Sequence, residues 1–516
     1  MSSAQALVWN VSVLNSSSVV AVIGAGSMGA GIAQLAAQSG HVVRLHDAQA
    51  GAAAAALVRI AADLDGAVKR SRLSGDEREA ILQRIEVADS LEALAGCDLI
   101  VEAIVERLDV KQGLFRKLEE VVGPDAVFAT NTSSISITAV AQGLKHPSRL
   151  IGWHFFNPAT RMKLVEIIPG VETDPSLAPM LHALSATWGK TSVDAPNAPG
   201  FIVNRVARPY YAEGLRLLAE RIAPAAAIDR LLREAGSFAL GPFELMDLIG
   251  LDVNLAVTES VFQATACDPR YASHLIQQEM VRSGRLGRKS GQGFYAYGKD
   301  TAPPTVTCVE ATGTPPQLRH SAHASLLLPL LDRLGTADVQ MSLDESLPNE
   351  TIAFGDVHVA LTDGRTAAER SVQDGRRNWL LLDLARDFST TTLLGATASP
   401  RATAHLSEFA AVLAPAGISL LALADVAGLV VMRSVCCLGN EAADVITWTP
   451  TSATDIDTAM CLGTAYPVGP LAWADAIGIS RVVEVLANLQ VHYGEVRYRR
   501  APALTRAHFS GVNFHG

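Results

Sequence analysis

A glycine-rich turn near the start of the chain has the spacing that holds a dinucleotide. Gly24, Gly26 and Gly29 follow an apolar run, 18–23, and precede a stretch of helical composition. Gly24 permits a tight turn, Gly26 lets the backbone approach a pyrophosphate, and Gly29 allows close helix packing. The helix N-terminus supplies N–H groups to the phosphates. Because strand, turn and helix occur in this order, we predict a dinucleotide site rather than an ordinary structural turn.

An acidic residue ends the next predicted strand and distinguishes between two cofactors. Asp47 follows the strand predicted at 42–46. A carboxylate at this place accepts hydrogen bonds from the adenosine ribose and repels a 2′-phosphate, so NAD is predicted in preference to NADP. The alternative is a solvated acid at a strand end.

Further motifs follow the glycine turn in a fixed order. They are Glu102-Ala-Ile-Val-Glu106 with Lys111, Asn131-Thr-Ser-Ser134, His154-Phe-Phe-Asn-Pro158, Lys163-Leu-Val-Glu166, Pro199-Gly-Phe-Ile-Val-Asn-Arg205 and the glycine-rich segment 287–295. In order and spacing, the chain from Val19 to about Tyr297 closely resembles the L-3-hydroxyacyl-CoA dehydrogenase family. Beyond that point it is similar to the long bacterial members of the family.

The resemblance implies that His154 is a general base and that Glu166 hydrogen-bonds the other nitrogen of its ring. Oxidation of a secondary alcohol needs a base for the hydroxyl proton while hydride leaves the same carbon, and histidine suits this task near neutral pH. A neighbouring carboxylate fixes the tautomer and stabilises the imidazolium formed in turnover. Taken alone, His154 could instead be a hydrogen-bonded core histidine.

The resemblance also assigns residues to the substrate and the cofactor. Ser133 and Asn204 are implied to bond the substrate's oxygen or thioester, although Ser133 could instead cap a helix near Ile135 and Asn204 could bond nearby backbone. The implied cofactor residues are Gly24, Gly26, Ser27, Met28, Gly29, Asp47, Glu106, Lys111, Asn157 and Lys289, and those for the CoA phosphates are Lys69 and Arg70. The charged residues could equally form exposed ion pairs or a solvated helix face.

Other charges bear on the anionic parts of such a substrate. Asp63 and Asp65 lie close to Lys69 and Arg70 in the sequence and are expected to weaken phosphate attraction there. Arg205 or Arg208 could pair with a terminal carboxylate on the acyl chain, or could be helix-surface charges.

The elements that must position these residues alternate between strand and helix. Buried strands are predicted at 42–46, 98–102, 126–130, 150–153 and 165–168, which indicates an α/β Rossmann-type domain with a parallel sheet covered on both faces. From Gly200 onward amphipathic helices indicate all-α domains. The predicted domains are 1–196, the NAD-binding Rossmann domain; 197–300, a helical substrate and dimerisation domain; 301–425, a linker and degenerate α/β region; and 426–516, a second copy of the helical domain.

The second copy is predicted from a repeat without gaps. Gly200, Arg205, Glu213, Ile228, Asp229, Gly241, Pro242, Asp247 and Gly250 recur, each displaced by the same 228 positions, as Gly428, Arg433, Glu441, Ile456, Asp457, Gly469, Pro470, Asp475 and Gly478. Asn204 becomes Met432, and neither a second glycine turn nor a His–Glu pair precedes the copy. The second half is therefore predicted to be structural. Since helical domains of the family pair across a dimer interface, we expect the copy to imitate a partner subunit; a homodimer stays open.

Composition narrows the class of protein. The chain has 516 residues, 49% of them hydrophobic and 18% charged, with a formal charge of −10, which predicts a compact soluble protein of two to four domains without attraction to nucleic acid or anionic membranes. The first 43 residues contain neither Lys nor Arg, so we expect no basic leader and a cytoplasmic location. The uncharged stretch 409–424 is predicted to be buried, and the six cysteines to be reduced core residues without a metal.

Taken with these patterns, the resemblance implies NAD-dependent oxidation of (S)-3-hydroxyacyl-CoA to 3-oxoacyl-CoA. The implied substrates are 3-hydroxyadipyl-CoA or 3-hydroxybutyryl-CoA, which places the reaction in phenylacetate catabolism or fatty acid metabolism. Two alternatives remain: a non-catalytic dinucleotide-binding structural protein, and a dehydrogenase of a free hydroxy acid.

Overall fold

The computed structural model describes residues 14–15, 17–298, 301–302 and 304–516. The described residues divide into two compact units, those up to 204 with 450–464 and those from 205 to 449 with 465–516. The first thirteen residues, on which part of the leader prediction rests, and residues 299, 300 and 303, near the predicted start of the linker, lie outside the described residues. The domain boundaries stay predictions.

Helices occur along the whole described chain. They are α1 (Ser27–Gln38), α2 (Ala52–Lys69), α3 (Gly75–Gln83), α4 (Leu108–Val121), α5 (Ile137–Ala141), α6 (Leu177–Thr187), α7 (Val203–Val206), α8 (Arg208–Ala219), α9 (Ala225–Glu234), α10 (Pro242–Ile249), α11 (Leu251–Ala264), α12 (Leu275–Arg282), α13 (Leu328–Thr336), α14 (Ala367–Gln373), α15 (Leu406–Leu413), α16 (Val431–Trp448), α17 (Ala453–Thr464), α18 (Pro470–Ile477), α19 (Ile479–Tyr493) and α20 (Pro502–Ser510). Among the described helices, none combines the length and apolar character that crossing a bilayer requires.

The first unit contains an eight-stranded sheet. Its strands are β1 (Val20–Ile23), β2 (Val43–His46), β3 (Ile85–Val87), β4 (Leu99–Glu102), β5 (Val127–Thr130), β6 (Leu150–Phe155), β7 (Leu164–Pro169) and β8 (Thr191–Asp194), in the order β3-β2-β1-β4-β5-β6-β7-β8. The Rossmann-type fold predicted from the alternation of strand and helix is confirmed. β3 and β8 were not predicted, because they are short and carry polar residues at exposed positions.

One pair of neighbouring strands departs from the predicted parallel sheet, so β7 and β8 both run opposite to the other six strands. β7 runs antiparallel to β6, whereas the other neighbouring strands of this sheet run parallel. The loop 156–163 between β6 and β7 is shorter than the crossover of about a dozen residues that a parallel pair needs. The prediction of an all-parallel sheet is therefore wrong at this pair, and the antiparallel register brings Glu166 opposite His154.

Apolar strands form the core of the first unit. β1, β4 and β5 are buried along their entire lengths, as expected for a sheet covered on both faces. Trp153 and Trp188 pack with ring centroids 4.8 Å apart in the same core. The apolar burial fixes the strand ends, and the candidate site residues follow those ends.

The second unit contains a seven-stranded sheet between its helical segments. Its strands are β9 (Leu318–His320), β10 (Met341–Leu343), β11 (Thr351–Phe354), β12 (Val357–Leu361), β13 (Trp379–Leu382), β14 (Leu393–Ala398) and β15 (Ser419–Ala422), in the order β10-β9-β11-β12-β13-β14-β15. These strands lie within 301–425, where the sequence predicts a linker and a degenerate α/β region, so the description of the domains after the first as all-α is incomplete. Most of these strands were not predicted, because their hydrophobic periodicity in the sequence is weak.

Two reciprocal buried ion pairs join α16 to Arg205 on α7 and to Glu213 on α8. Arg205 Nε lies 2.8 Å from Glu441 Oε1, and Arg433 Nε lies 2.6 Å from Glu213 Oε2. In the repeat, Arg433 corresponds to Arg205 and Glu441 corresponds to Glu213. The arginine of each copy thus pairs with the glutamate of the other copy, which is the pattern of a two-fold interface.

The cysteines are less uniform than predicted. All six thiols are free, and Cys97, Cys436 and Cys437 are buried. Cys267 is exposed, so its assignment to the core is wrong. It lies just beyond the C-terminal end of α11, in a turn where apolar patterning gives no guidance.

Candidate active site

The glycine turn between β1 and α1 is shaped by close backbone contacts. Gly24 has φ +101°, and a Cβ there would lie 2.4 Å from the carbonyl oxygen of Ala103. A Cβ on Gly29 would lie 1.7 Å from the carbonyl oxygen of Gly24. At Gly26, by contrast, a Cβ would meet no atom within 4 Å. The turn needs glycine at Gly24 and Gly29 for its own geometry, whereas at Gly26 it leaves space beside the helix N-terminus at Ser27.

Asp47 lies beside this turn, at the end of β2. Its Oδ2 accepts a hydrogen bond of 2.6 Å from Ala25 N, and its Oδ1 accepts one of 2.8 Å from Gln49 N. Arg59, on α2, donates from Nη2 to the carbonyl oxygen of Ala25 at 2.6 Å. Sequence reasoning missed Arg59, because a single arginine on an amphipathic helix carries no distinguishing signal.

Lys111 takes part in a buried ion pair. The sequence leaves an exposed ion pair open as the alternative for this residue. Its side chain is 1% exposed, and Nζ lies 2.6 Å from Glu102 Oε1 and 3.3 Å from Glu106 Oε2. Thr130 donates to the other oxygen of Glu102 at 2.6 Å. Lys111 therefore connects the end of β4 with Glu106.

Glu106 organises the loop after β5. Its Oε1 accepts hydrogen bonds from Thr132 Oγ1 at 2.6 Å, Ser133 N at 2.8 Å and Ser134 N at 3.1 Å. Burial alone would raise the pKa of the Glu106 carboxyl, but Lys111 and these hydrogen bonds outweigh burial and lower the pKa below its usual value. The carboxylate form thus holds the backbone of Ser133 in place.

Ser133 does not cap the following helix. α5 begins at Ile137, and its cap is Ser136, whose side chain accepts a hydrogen bond from Ala139 N. Ser133 Oγ lies instead 3.3 Å from Glu106 Oε1. The capping alternative considered from the sequence is therefore wrong.

His154 and Glu166 form a buried pair across β6 and β7. Nδ1 of His154 lies 2.7 Å from Oε2 of Glu166, with His154 5% exposed and Glu166 fully buried. The imidazole also contacts two aromatic rings, Phe156 at 4.5 Å and Phe201 at 5.7 Å between centroids. An ionised carboxylate can only accept a hydrogen bond, so a neutral imidazole in this pair carries its proton on Nδ1 and has its lone pair on Nε2.

The second oxygen of Glu166 holds the segment that carries Asn204. Oε1 accepts hydrogen bonds of 3.0 Å from both Ile202 N and Val203 N. Asn204 follows directly, and its Nδ2 lies 3.5 Å from the carbonyl oxygen of Ser133. The contact to backbone considered from the sequence for Asn204 is thus present, and it is made to the Ser133 loop.

A further hydrogen bond ties the base to this loop. Asn131 Oδ1 accepts from Phe155 N at 2.8 Å, so the residue after His154 is bonded to the residue two positions before Ser133. The structure therefore brings His154, Glu166, Ser133 and Asn204 together through short polar contacts and chain adjacency.

The other predicted residues are more dispersed. Asn157 lies in the loop after β6, where its Oδ1 is 3.4 Å from Ser27 Oγ at the start of α1. Lys289 belongs to the second unit, with Nζ 2.7 Å from Oδ2 of Asp252.

Lys69 and Arg70 end α2 and are exposed, and within the described residues neither forms an ion pair. Asp63 accepts from Gln34 at 3.0 Å, and Asp65 pairs with Arg78 at 2.7 Å. Arg78 offsets the charge of Asp65, whereas the neutral Gln34 leaves the charge of Asp63 in place, so the expected weakening of phosphate attraction is reduced only in part.

The two arginines considered as partners of a terminal carboxylate on the acyl chain already contact other side chains of the protein. Arg205 is bound by Glu441 and Asp444, at 2.8 Å and 2.7 Å. Arg208 is buried, with its guanidinium 4.9 Å from the centre of the Tyr211 ring. Arg205 is therefore neither a surface charge nor free to bind a carboxylate.

At the start of the second helical segment, Asp383 accepts hydrogen bonds from backbone amides equivalent to those that Glu166 binds at the start of the first. Asp383, at the end of β13, is fully buried and accepts from Val430 N, Val431 N and Met432 N at 2.8 to 3.0 Å. These amides are the repeat counterparts of the Ile202 and Val203 amides and of Asn204. Asp383 supplies the same amide contacts as Glu166, but no histidine accompanies it on β14.

The turn fits NAD: Gly26 leaves room for a pyrophosphate, α1 presents its N-terminus there, and Asp47 ends β2 where a ribose is expected. A Rossmann-type sheet with this turn and a His–Glu pair defines an NAD-dependent oxidoreductase.

Comparison with known proteins identifies the family. The family model for the 3-hydroxyacyl-CoA dehydrogenase NAD-binding domain matches residues 19–198, and the model for the C-terminal domain of these enzymes matches 200–297 and 428–511. A model described as the 3-hydroxybutyryl-CoA dehydrogenase reduced Rossmann-fold domain matches 359–426. The chain belongs to the 3-hydroxyacyl-CoA dehydrogenase family.

Two relatives match nearly the whole chain. The 3-hydroxyadipyl-CoA dehydrogenase of Escherichia coli K12 is 41% identical over 93% of this chain and 95% of its own length. A crystal structure of 3-hydroxybutyryl-CoA dehydrogenase from Escherichia coli K12 covers 96% of this chain and 100% of its own, with 40% identity and a TM-score of 0.87. A shorter (S)-3-hydroxybutyryl-CoA dehydrogenase from Ralstonia eutropha covers 55% of this chain and 99% of its own, with 38% identity and a TM-score of 0.53.

Proposed function

We propose that the chain oxidises the 3-hydroxyl of an (S)-3-hydroxyacyl-CoA to the 3-oxoacyl-CoA, with His154 as general base. The observation that carries the proposal is the 2.7 Å contact between His154 Nδ1 and Glu166 Oε2, which leaves Nε2 able to accept a proton. Membership of the dehydrogenase family agrees with this chemistry.

His154 Nε2 takes the hydroxyl proton as the C3–H bond breaks and the C3=O bond forms. NAD, when bound, accepts the hydride released from C3. Glu166 stabilises the resulting imidazolium and prevents the ring from turning. The apolar rings around His154 restrict water beside it.

Other first-unit residues bind and orient. The N–H groups of Ser27 and Met28 face the pyrophosphate, and Asp47 binds the adenosine ribose. Asn157 binds the cofactor near the start of α1. Glu106 and Lys111 contribute by fixing the Ser133 loop.

Substrate contacts come from two further groups of side chains. Ser133 and Asn204 hydrogen-bond the substrate's oxygen or thioester. Lys69 and Arg70 attract the CoA phosphates. The assignment of Lys289 to the cofactor stays a prediction from the family resemblance.

We further propose that the acyl chain ends in a carboxylate, as in 3-hydroxyadipyl-CoA, which would place the reaction in phenylacetate catabolism. Support comes from the name of the Escherichia coli relative that spans 93% of this chain. Rates with 3-hydroxyadipyl-CoA and 3-hydroxyhexanoyl-CoA, which differ only in the distal carboxylate, test this directly. Equal kcat/KM values for the two esters would reject it, and a higher value for 3-hydroxybutyryl-CoA would favour the shorter substrate.

The experiment on the main proposal follows NADH absorbance with purified protein, NAD and each ester. His154→Gln should lower kcat by roughly 10²- to 10⁴-fold, with NAD binding retained. The matched control is His146→Gln, because His146 is an exposed histidine of the same unit. Full activity in a folded His154→Gln protein rejects the mechanism. Turnover of free 3-hydroxybutyrate in place of its ester would favour a hydroxy-acid dehydrogenase.

We also propose that residues 428–511 are a duplicated helical domain that takes the place of a partner subunit. The two matches to one C-terminal-domain model and the reciprocal Arg–Glu pairs support this. The face of α8 that contacts α16 is then not available to a second chain. Light scattering of the full chain tests this: a dimer that dissociates when Arg433 is replaced would contradict it. The cytoplasmic location stays a prediction.

A further inference from the structure

A lysine outside the known motifs is buried beside the candidate site. Lys190 immediately precedes β8 and is 9% exposed. Its Nζ donates hydrogen bonds to the carbonyl oxygens of Ala159 at 2.5 Å and Met162 at 2.7 Å. Its own backbone is fixed by a bond from Lys190 N to the carbonyl oxygen of Ser185, at 2.9 Å. The ammonium is thus held between a rigid strand and a loop.

The loop held by Lys190 is the one between β6 and β7. Residues 156–163 join the strand of His154 to the strand of Glu166 and include Asn157. The same loop contacts α1, since a Cβ on Gly31 would lie 3.2 Å from the Ala159 Cβ. Lys190 therefore fixes the segment that connects the His–Glu pair to the dinucleotide helix.

The charge of Lys190 has no acidic partner among the described residues. Burial lowers the pKa of its ammonium to about 8. Burying an ammonium against carbonyl groups alone is unfavourable compared with an apolar side chain of similar length. A net gain in stability is therefore a weaker reason for a lysine here than the two donors that it directs at one loop.

We propose that Lys190 is a positioning residue that fixes the 156–163 loop for dinucleotide binding and hydride transfer. This inference rests on the proposed function for its kinetic part only. When the loop is released, Asn157 is no longer held at the start of α1, and the β6–β7 connection behind His154 loosens. Removing both donors should therefore weaken NAD binding and slow turnover without unfolding the sheet.

The test compares Lys190→Met and Lys190→Arg with Lys145→Met, which changes an exposed lysine of the same unit. Each protein is titrated with NAD, assayed with a 3-hydroxyacyl-CoA, and melted. Loss of two hydrogen bonds from a charged donor predicts a roughly tenfold or larger rise in the Kd for NAD and a fall in kcat for Lys190→Met. Its Tm should stay close to that of the unmodified protein, since removing a desolvated charge offsets the loss of two hydrogen bonds to Ala159 and Met162. Lys190→Arg, which keeps charged donors, should recover part of the affinity.

Three results would overturn the inference: an unchanged Kd for NAD, a rise in Kd equal to that of Lys145→Met, or a loss of binding explained by a lower Tm in both Lys190 variants. If Lys190→Met does not fold, Lys190→Leu, which also removes the ammonium and both of its hydrogen bonds, is titrated and judged by the same criteria. The NAD titration needs no turnover. Absence of NADH formation by the unmodified protein would therefore reject the proposed function, while the effect of Lys190 on NAD binding is still measured.

Discussion

His154 and Glu166 are direct cross-strand partners in the antiparallel pair β6–β7, with Nδ1 and Oε2 2.7 Å apart. They are 12 positions apart in the chain. Backbone hydrogen bonds of the ladder therefore set their separation, and neither side chain has to be held by a flexible loop. The Glu166 carboxylate is held beside His154, because its other oxygen accepts hydrogen bonds from the Ile202 and Val203 amides.

Glu166→Gln should lower kcat by about 10²-fold or more and leave the Kd for NAD nearly unchanged. The glutamine side chain retains an oxygen for the two amides, but its NH₂ group would donate to Nδ1 and shift the imidazole proton to Nε2, where it blocks proton uptake. Steady-state kinetics and an NAD titration measure both effects. The control is Glu172→Gln, which changes an exposed acid of the same unit. A kcat like that of the control would show that the carboxylate does not set the tautomer.

Two glycines of the dinucleotide turn should respond differently to alanine. Gly29→Ala places a methyl group 1.7 Å from the Gly24 carbonyl oxygen, so we expect a lower Tm and no NAD binding. Gly26→Ala meets no protein atom within 4 Å, so the fold and Tm should persist while the methyl group occupies the space left for the pyrophosphate. We expect at least a tenfold rise in Kd for NAD, or about 1.4 kcal/mol.

Gly113→Ala is the control for these substitutions, because it adds a methyl group to α4 with no atom within 4 Å. Calorimetry and NAD titration of the three variants separate folding from binding. Unchanged NAD affinity in Gly26→Ala would mean that the pyrophosphate does not approach this glycine.

Glu106 should make the first unit sensitive to acid. Its pKa is lower in the folded protein than in the unfolded chain, because Lys111 and the hydrogen bonds from Thr132 and Ser133 outweigh burial. A lowered carboxyl pKa stabilises the fold above the unfolded-state pKa, near 4.5, and this contribution is lost as pH falls through the folded-state pKa.

Glu106→Gln should therefore reduce the free energy of unfolding at pH 7 and flatten its decrease below pH 4.5. It should also raise the KM for the acyl-CoA, because Ser133 is less firmly held. Urea unfolding at pH 7 and pH 4, together with kinetics, provides the measurement. The same pH dependence in the variant and the unmodified protein would assign the acid sensitivity to other carboxyls.

Arg433→Met should destabilise the second unit strongly. It leaves Glu213 buried without its 2.6 Å partner, and removing one member of a buried ion pair typically destabilises a protein by about 3–5 kcal/mol. Arg282→Met breaks an exposed pair with Glu279 and should change stability by less than about 1 kcal/mol. Denaturant unfolding followed by tryptophan fluorescence compares them. Equal midpoints would show that the reciprocal pairs do not hold the two helical segments together.

Much of the first unit could be predicted because its signals are local. The apolar runs of β1, β2, β4 and β5 and the glycine turn are continuous in the sequence, and each strand was expected within one or two residues of its observed bounds. Weakly patterned strands escaped, as β3 and β8 show. Polar network residues such as Arg59 and Lys190 also escaped, because their partners are carbonyl oxygens, which every residue possesses.

The sequence by itself determined which residue types are available at the site: the three glycines, an acid after β2, and a histidine and a glutamate on successive strands. Only the tertiary structure decided how they are used. The antiparallel register placed Glu166 opposite His154. Burial made Arg205 and Lys111, for which the sequence left both a binding role and surface exposure open, members of ion-pair networks. The physical reason is that spacing along a chain fixes local backbone geometry, whereas register and burial depend on segments that are distant in sequence.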